Sequence, residues 1–397
     1  MKVLVLNTSH NELGLIKALK EMGHYVIGTG GMPGLIGQKY VDKYIKADYS
    51  KKELMLQLAV DNQVDALCAC CNDFGVISAA WVAEKLGLPG HDTYENALIL
   101  HHKDKFKMFA QKNDIQTPEA VYFENISEAK KWLCYAEYPI IIKPTDLTGG
   151  KGVHKAENYE EAVFAIEDAF ALSRAKHIVI ESYIEGSQHA ICTFIINNRV
   201  VAVGSNNEYS IENPYKVEID TYPADNIDKV QPFLVEQIEK MANILNLSDG
   251  IFHMQYRMKG DMPYIIEPMR RVLGNLYGIP CGKLNDINWD YWQAKAYCGD
   301  NLTDFPKDVK QSGFWSYRTV MCKTEGTVKG IKVADDLRPF IFDEFMTYEP
   351  GQMITNHLTE SLGFYFFKFR NREEMNHIMI DRYNDINAIM EEKNDTF

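Results

Sequence analysis

The sequence predicts mixed α/β and α+β structure, in which a parallel sheet comes first and strand-rich structure follows. Three observations support this prediction. Strand-like and helix-like segments alternate over residues 1–97, which is the order that a parallel sheet with right-handed crossovers requires. Strand-like segments dominate from Gly186 onward. No apolar run reaches the roughly 18 residues that a membrane-spanning helix needs, so we expect no membrane partner.

In residues 1–97, short apolar runs predict strands, and apolar residues at helical spacing predict helices. Gly23 and Gly87 each end a predicted helix. The first strand-to-helix turn reads NTSHNELG and lacks the glycines of a dinucleotide site, which favours a Rossmann-like scaffold without a nicotinamide cofactor. The predicted elements are strands 3–6, 25–28, 44–47 and 66–71 and helices 12–22, 51–62 and 75–86.

The same patterns extend over the rest of the chain, with a change of character at residues 98–190. We find no internal repeat and no low-complexity linker. The predicted elements are helices 97–113, 127–133, 159–172, 231–245 and 372–391 and strands 177–181, 190–196, 200–205, 250–258 and 264–267.

Composition limits the classes of partner. The 397 residues include 42 Lys plus Arg against 55 Asp plus Glu, giving a formal charge of −13. That balance argues against a nucleic-acid surface but leaves room for a single nucleotide, which needs only a few local cations. The eight Cys residues have no disulfide-scaffold density, which suits a reducing cytoplasm. Cys68, Cys70 and Cys71 lack a second pair at zinc spacing, so we interpret them as buried thiols.

A glycine-rich loop, TDLTGGKGV, follows the strand-like run IIIKP at residues 145–153. Gly149, Gly150 and Gly152 could expose backbone N–H groups to phosphate oxygens, and Lys151 adds charge. The spacing does not match a Walker loop. From the residues alone, a plain surface hairpin is an equal alternative.

Two charged residues end predicted strands on either side of this loop. Lys143 closes an apolar strand, where a buried ammonium needs an anionic partner, either a core carboxylate or a bound phosphate. Glu181 ends the strand IVIES and leads into a short Ser-Tyr-Ile segment, which could read an adenine through backbone groups and one carboxylate. Lys105 opens a helix and is unremarkable by itself.

The segment 250–271 predicts two strands joined by a Lys-Gly-Asp turn. This pairing would bring Gln255 and Glu267 to one face, where oxygen donors beside phosphates suit Mg²⁺. Arg270 and Arg271 follow at once and could bind a carboxylate or phosphoryl group. The alternative is an exposed hairpin with a basic exit. We expect His253, on the first strand, to be a satisfied core residue rather than a base.

Taken in chain order, these elements resemble the ATP-grasp superfamily. The similarity rests on Lys105 in its Asp-Lys pair, Lys143 in IIKP, the loop TGGKGV, the segment ESYIEG and the paired strands ending in Glu267. GHYVIGTG, KYVDKYIKADYS, AEKLGLPG, EGTVKGIK and EPGQMI add similarity to the carboxylate–amine ligases related to biotin carboxylase and carbamoyl-phosphate synthetase. The resemblance implies a Rossmann-like domain at 1–97, a linker helix and lid subdomain at 98–190, and a catalytic body with a strand-rich C-terminal subdomain at 191–397.

The resemblance implies ATP and Mg²⁺ as cofactors. Lys105 and Lys143 would bind the α- and β-phosphates, and the loop at 149–152, with Lys151, would close over the β- and γ-phosphates. Arg271, beside Arg270, would contact an acyl phosphate or the substrate carboxylate. The residues implied at adenine, ribose and metal are Glu181, Ser182, Ile184, Gln188, Glu267 and Gln255.

Three positions depart from the family pattern. Gln188 stands where a ribose-binding Glu is usual, Gln255 where a metal carboxylate is usual, and Met269 where an Asn is usual. One charged ligand is compatible with a single Mg²⁺, because this ion is commonly held by one or two carboxylates plus phosphates.

The implied activity is ATP-dependent ligation of a small-molecule carboxylate, activated as an acyl phosphate, to an amine. No Ser/His/Asp or Cys/His constellation offers a rival chemistry in the sequence. The alternatives are a biotin-carboxylase-like or carbamoyl-phosphate-like carboxylation enzyme and a non-catalytic ATP-binding sensor or scaffold. We expect a cytoplasmic protein without nucleic-acid partners, and the resemblance is compatible with a homodimer.

Overall fold

The structure of the chain is a computed structural model that describes residues 1–147 and 149–391. Thr148 of the glycine-rich loop lies outside the described residues. The helices are α1 (Leu13–Glu21), α2 (Lys52–Asn62), α3 (Asp73–Leu86), α4 (Tyr94–His101), α5 (Lys103–Lys112), α6 (Ile126–Trp132), α7 (Tyr159–Leu172), α8 (Ile227–Leu245), α9 (Gly278–Asn285), α10 (Trp289–Tyr297) and α11 (Arg372–Asn376).

In the described parts of the chain, strands account for as many residues as the α-helices do. The strands are β1 (Lys2–Val5), β2 (Tyr25–Gly30), β3 (Lys43–Lys46), β4 (Ala66–Cys68), β5 (Ala120–Phe123), β6 (Ile140–Pro144), β7 (His154–Ala156), β8 (Ile178–Ser182), β9 (Gln188–Ile196), β10 (Arg199–Tyr209), β11 (Ile219–Tyr222), β12 (Gly250–Lys259), β13 (Met262–Met269), β14 (Phe314–Met321), β15 (Gly326–Val333), β16 (Ile341–Met346), β17 (Met353–Ile354), β18 (Ser361–Phe369) and β19 (Ile386–Met390).

The chain divides into two compact units, each assembled from segments that are not consecutive. The first unit contains Met1–Val203, Asn226–Gly278 and Asn288–Val309. The second contains Gly204–Asp225, Ile279–Ile287 and the described residues from Lys310 onward. The three-part domain division remains a prediction. Within the described ranges, no helix is both long and apolar enough to cross a membrane.

The first unit begins with the predicted parallel sheet, in the order β3-β2-β1-β4. Its central strand is a continuous apolar run because crossover helices cover both faces, and Val3, Leu4 and Val5 are fully buried. β4 ends at Cys68, earlier than predicted, because the chain turns into α3, where the Asn72 side chain accepts the Phe74 N–H.

A second sheet of the first unit has the order β5-β8-β6-β7, with antiparallel pairs. Ile140 and Ile142 of β6 and Ile178 and Ile180 of β8 share a buried cluster with residues of α6 and α7. Because successive side chains on a strand point to opposite faces, Lys143 and Glu181 lie on the other face of this sheet. The strand alternation therefore separates an apolar face from a charged one.

The predicted helix over 97–113 is wrong as a single element, since two helices, α4 and α5, meet at His102. His102 is extended, with φ −104° and ψ 121°, and the next N–H, that of Lys103, donates to the Thr145 carbonyl at 3.4 Å. The break therefore depends on a contact with the start of the glycine-rich loop, about forty residues away in sequence, which helical periodicity does not report.

The predicted hairpin is confirmed, with β12 and β13 joined by the Gly260-Asp261 turn. Gln255 pairs directly with Glu267, so both side chains lie on one face as predicted. β12 also pairs with β9 in the first unit.

In the second unit, the end of β10 is followed by β11, β14, β18 and β16 in an antiparallel sheet, and β15 pairs with β17 and β19. The predicted final helix over 372–391 is wrong beyond its first turns. The run INAIM forms β19 because its Ile residues suit a pleated, half-buried surface, and Ile386 pairs with Val333.

Gly186 allows a close approach in the first unit that no larger residue permits. Its φ is +149°, and an added Cβ would lie 1.7 Å from the Met258 carbonyl oxygen. Gly260, in the hairpin turn, has φ +62° with open space around the position of a Cβ. At both positions, a larger residue would have to adopt an unfavourable positive φ. Only at Gly186 would its Cβ also overlap another atom.

We therefore expect Gly186→Ala to lower the free energy of unfolding by about 3 kcal/mol or more, and Gly260→Ala by about 1 kcal/mol. Chemical denaturation of both variants measures the difference. Equal losses would show that the contact with Met258 is not a constraint on the fold.

Candidate functional site

Three buried charges meet in the first unit on the charged face of the β5-β8-β6-β7 sheet. The Glu181 carboxylate lies 2.8 Å from Lys143 Nζ and 3.5 Å from Lys107 Nζ. The exposed fractions are 3% for Glu181, 5% for Lys143 and 4% for Lys107. Lys143 thus has a core carboxylate as its partner, which was one of the two readings of its position. Through these two ion pairs, Glu181 on β8 contacts both β6 and α5.

The two ammonium groups keep the central carboxylate ionised. Burial alone would raise the pKa of Glu181, but Lys107 and Lys143 outweigh burial and lower the pKa below its usual value. At Lys107, burial outweighs the neighbouring carboxylate and lowers the pKa of the ammonium group to about 8. The cluster therefore holds an excess of positive charge that is costly to bury.

Lys103 connects this region to the hairpin. Its Nζ donates to the Leu147 carbonyl at 2.8 Å and lies 3.7 Å from the Glu267 carboxylate. Lys103 and Lys107 are four residues apart and so share a face of α5. Lys105, the lysine singled out in the sequence, is exposed on a different face of the same helix. The i, i+4 spacing was the signal that could have identified the other two lysines.

The glycine-rich loop joins β6 to β7, so it is the tip of a hairpin. Gly149, Gly150 and Gly152 all have positive φ, between +68° and +74°. This left-handed backbone suits glycine and can turn N–H groups toward a bound anion. Lys151 is exposed. These φ values are compatible both with a phosphate-binding loop and with a plain surface hairpin. The loop directly follows β6, which contains Lys143, as predicted.

The segment after β8 is held by hydrogen bonds from an arginine that sequence analysis missed. Arg257, on β12, donates to the carbonyls of Ile184 and Gly186 at 2.8 and 2.6 Å and to Gln188 Oε1 at 3.2 Å. Its guanidinium also lies over the Tyr183 ring, 5.0 Å from the centroid. Ser182, by contrast, is exposed. Of the residues predicted to line adenine and ribose, Ile184 and Gln188 therefore bind one guanidinium, which fixes the path of the backbone between them.

The hairpin supplies the donors for a cation. Glu267 carries a negative charge and is one-third exposed at its side chain, and Gln255, directly opposite, supplies an amide oxygen. No group of three His, Cys, Asp or Glu side chains capable of holding a metal occurs in the part of the chain that the structure describes. One carboxylate and one amide fit an ion that takes its remaining ligands from phosphate and water.

Arg271 is held beside the hairpin by an ion pair with Asp73. Its Nε lies 3.2 Å from Asp73 Oδ1, and burial is outweighed by Cys71 and Asp73, which raise the arginine pKa. Asp73 also accepts from His101 Nδ1 at 3.0 Å. The Arg270 N–H can only donate, and its partner is His101 Nε2, so the ring hydrogen lies on Nδ1. Arg271 therefore remains charged and oriented.

Arg270 has a different environment. Its guanidinium pairs with Asp92 at 2.9 Å and donates to the carbonyls of Ile251 and Ser248. Asp92 precedes α4, whereas Ser248 and Ile251 flank the start of β12, so Arg270 links two segments of the first unit. The contacts describe a residue that holds the scaffold together, and the predicted catalytic role for Arg270 gains no support from them.

His253 lies on the same face of β12 as Gln255, since alternate residues of a strand share a face. It is buried, and its Nε2 has no hydrogen-bond partner among the described residues. The expectation of a satisfied core histidine is therefore not met at this atom. Burial and the nearby Arg271 lower the His253 pKa to about 3, so the ring is neutral.

The first unit thus combines lysine ammonium groups, a glycine-rich hairpin, a carboxylate–amide pair and a buried guanidinium. Groups of these kinds bind phosphate together with a divalent cation in proteins. Residues 102–212 match the family model described as the phosphoribosylglycinamide synthetase ATP-grasp (A) domain. The predicted resemblance to the ATP-grasp superfamily is confirmed, and the chain has the ATP-grasp fold.

Individual proteins are similar to the chain in part of the sequence or in fold. The chain is 22% identical over 200 residues to the carbamoyl phosphate synthase large chain of Thermoanaerobacter sp. (strain X514), covering 48% of this chain but 19% of that protein. It is 28% identical over 214 residues to the phosphoribosylamine–glycine ligase of Listeria monocytogenes serotype 4b (strain F2365), covering 50% and 49%. The crystal structure of L-amino acid ligase from Bacillus licheniformis superposes with a TM-score of 0.84 at 17% identity, covering 98% and 99%.

The lowered pKa of Lys107 makes stability depend on pH. Between about pH 8 and the ordinary value of 10.5, the unfolded chain binds more protons at this residue than the folded chain, so the free energy of unfolding rises with pH. We expect Lys107→Met to remove about 1–3 kcal/mol of this rise. Denaturation at about pH 7.5 and 9.5 measures it. Lys105→Met, on an exposed face of the same helix, is the control, and equal pH dependence in all three proteins would contradict the buried charge.

Proposed function

We propose that the chain is an ATP-dependent ligase that activates a small-molecule carboxylate as an acyl phosphate and couples it to an amine, releasing ADP and phosphate. The observation that carries the proposal is that Lys103, Lys143, Glu267 and Arg271 lie in one unit, with Lys103 paired to Glu267, while residues 102–212 of the chain match an ATP-grasp domain model. Relatives of this fold include ligases that form C–N bonds.

In the first step, a carboxylate oxygen of the substrate attacks the γ-phosphorus and ADP leaves. Lys103 and Lys143 bind phosphate oxygens, and the hairpin loop at 149–152 shields the site from water, which would hydrolyse an acyl phosphate. Glu267 and Gln255 would hold Mg²⁺, which would supply charge neutralisation at the phosphates. In the second step, the amine attacks the acyl carbon, phosphate leaves with the bonding electrons, and the amine loses a proton.

Arg271 contacts the transferred phosphoryl group or the substrate carboxylate. Its ion pair with Asp73 holds the guanidinium in place and uses only part of its N–H donors. In this scheme no side chain acts as a nucleophile, because phosphoryl transfer depends on positioning and charge rather than on covalent catalysis.

We expect ADP release to require a carboxylate substrate, and hydroxylamine to divert the activated carboxylate to a hydroxamate. A panel of amino acids and small carboxylic acids, incubated with ATP and Mg²⁺, tests this with a coupled ADP assay and a colorimetric hydroxamate assay. Glu267→Gln should reduce turnover by about 100-fold or more.

Other outcomes would identify other functions. ADP release that depends on bicarbonate rather than on an organic acid would indicate a carboxylation enzyme. Tight ATP binding without ADP release across the panel would contradict ligation and indicate a nucleotide sensor, which the single carboxylate of the hairpin would suit.

The two lysine assignments differ in their expected effects on nucleotide binding. Lys103→Met should weaken MgATP binding by about tenfold or more, because a charge-assisted hydrogen bond to phosphate contributes about 1.5–3 kcal/mol. Lys105→Met should change the Kd by less than about twofold, since an exposed charge contributes little. Isothermal titration with a non-hydrolysable ATP analogue makes the comparison. The reverse order would restore Lys105 as the phosphate ligand.

A further inference from the structure

One face of the β12–β13 hairpin holds a nitrogen donor beside the two oxygen donors of the candidate cation site. His253 pairs directly with Met269, and Gln255 pairs directly with Glu267, in one continuous register. Directly opposite residues lie about 5 Å apart at Cβ and diagonal neighbours about 7–8 Å apart, so all four side chains share a small area. His253 and Glu267 are diagonal neighbours on this face.

The His253 ring is buried without full satisfaction of its polar atoms. The residue is 7% exposed, and within the described ranges its Nε2 is buried with no hydrogen-bond partner. Tyr277 packs against the ring at a centroid distance of 5.0 Å and a tilt of 47°. A buried nitrogen without a partner costs about 1–3 kcal/mol, which a ligand at this face would recover.

We propose that His253 Nε2 is a third protein ligand of the cation held by Glu267 and Gln255, and that the site prefers Mn²⁺ to Mg²⁺. This inference rests on the proposed function, because the cation accompanies the nucleotide. Mg²⁺ favours an all-oxygen environment, whereas imidazole nitrogen suits transition metals. A neutral imidazole and a neutral amide leave Glu267 as the one charged protein ligand.

The nearby arginine does not prevent a cation from binding at this face. Arg271 contacts Met269, the cross-strand partner of His253, through its NH2 group at 3.2 Å from Sδ. Its charge is balanced by Asp73, with Nε 3.2 Å from the carboxylate. Glu267 has Lys103 as its own partner at 3.7 Å, a distance at which an incoming divalent ion competes readily.

Pulsed electron paramagnetic resonance of Mn²⁺ bound with ADP to the full chain tests the assignment directly. We expect a nitrogen coupling from a coordinated imidazole in the wild-type protein and its loss in His253→Asn. Titrations of both ions in the presence of ADP should show the Mn²⁺-over-Mg²⁺ preference falling by about tenfold in the variant, because an amide oxygen replaces the nitrogen.

His189→Asn is the matched control. His189 is buried on β9, but it pairs with Tyr256, next to Gln255 on β12, and so lies on the opposite face of the same sheet. Its substitution should leave both the nitrogen coupling and the cation preference unchanged. If His253→Asn is poorly folded, labelling the wild-type histidines with ¹⁵N should change the coupling and identify the ligand as a histidine.

Nucleotide binding, followed with a fluorescent ADP analogue in the same samples, separates the two hypotheses. Nucleotide binding with no nitrogen coupling in the wild type, or a coupling that persists in His253→Asn, would overturn the histidine ligand and leave the ligase proposal standing. Absence of nucleotide binding in the wild type would overturn both.

Discussion

The buried Glu181 carboxylate is the interaction on which the candidate site depends. Two ammonium groups, Lys143 on β6 and Lys107 on α5, reach the same carboxylate on β8. All three side chains are almost fully buried, where removing one partner would leave an uncompensated charge. The position of α5 relative to the β5-β8-β6-β7 sheet is therefore set by charge pairing as well as by apolar packing. The same pairing brings Lys103, one helical turn before Lys107, to the base of the glycine-rich loop.

A consequence is that the charges near the site are partly paired before any phosphate binds. Lys143 has Glu181 as a partner, and Lys103 has Glu267. Three lysines face two carboxylates, so the local charge is +1, against −13 for the whole chain. In the proposed mechanism, Glu267 would hold the cation, and Lys103 would then be free to bind the phosphate groups. Cation and nucleotide would then favour each other's binding through one shared lysine, which also donates to the Leu147 carbonyl in the loop.

The sequence predicted the fold better than it predicted the side-chain partners. The parallel sheet, the β12–β13 hairpin and the shared face of Gln255 and Glu267 follow from patterns of two or 3.6 residues, which are local. The break at His102 depends on a contact with Thr145, and β19 depends on pairing with β15, so neither is visible in local periodicity. Lys103 and Lys105 are two residues apart, which places their side chains about 200° apart around a helix, and it is Lys103 that lies near Glu267 and Leu147.

Arg270 and Arg271 show why adjacent residues of the same type can have different functions. Neighbouring positions at the end of a strand point in opposite directions, and each guanidinium meets a different set of acceptors. Arg270 binds a carboxylate and two backbone carbonyls, which are strong acceptors in a buried setting. Arg271 binds one carboxylate and one backbone carbonyl, that of Val272 at 3.2 Å from Nη1, and its terminal nitrogens also donate to the sulfur atoms of Cys71 and Met269 at 3.1 and 3.2 Å. Thiol and thioether sulfur are weak acceptors. Arg271 can therefore exchange them for phosphoryl or carboxylate oxygens with a gain in free energy, whereas Arg270 would have to give up bonds of comparable strength.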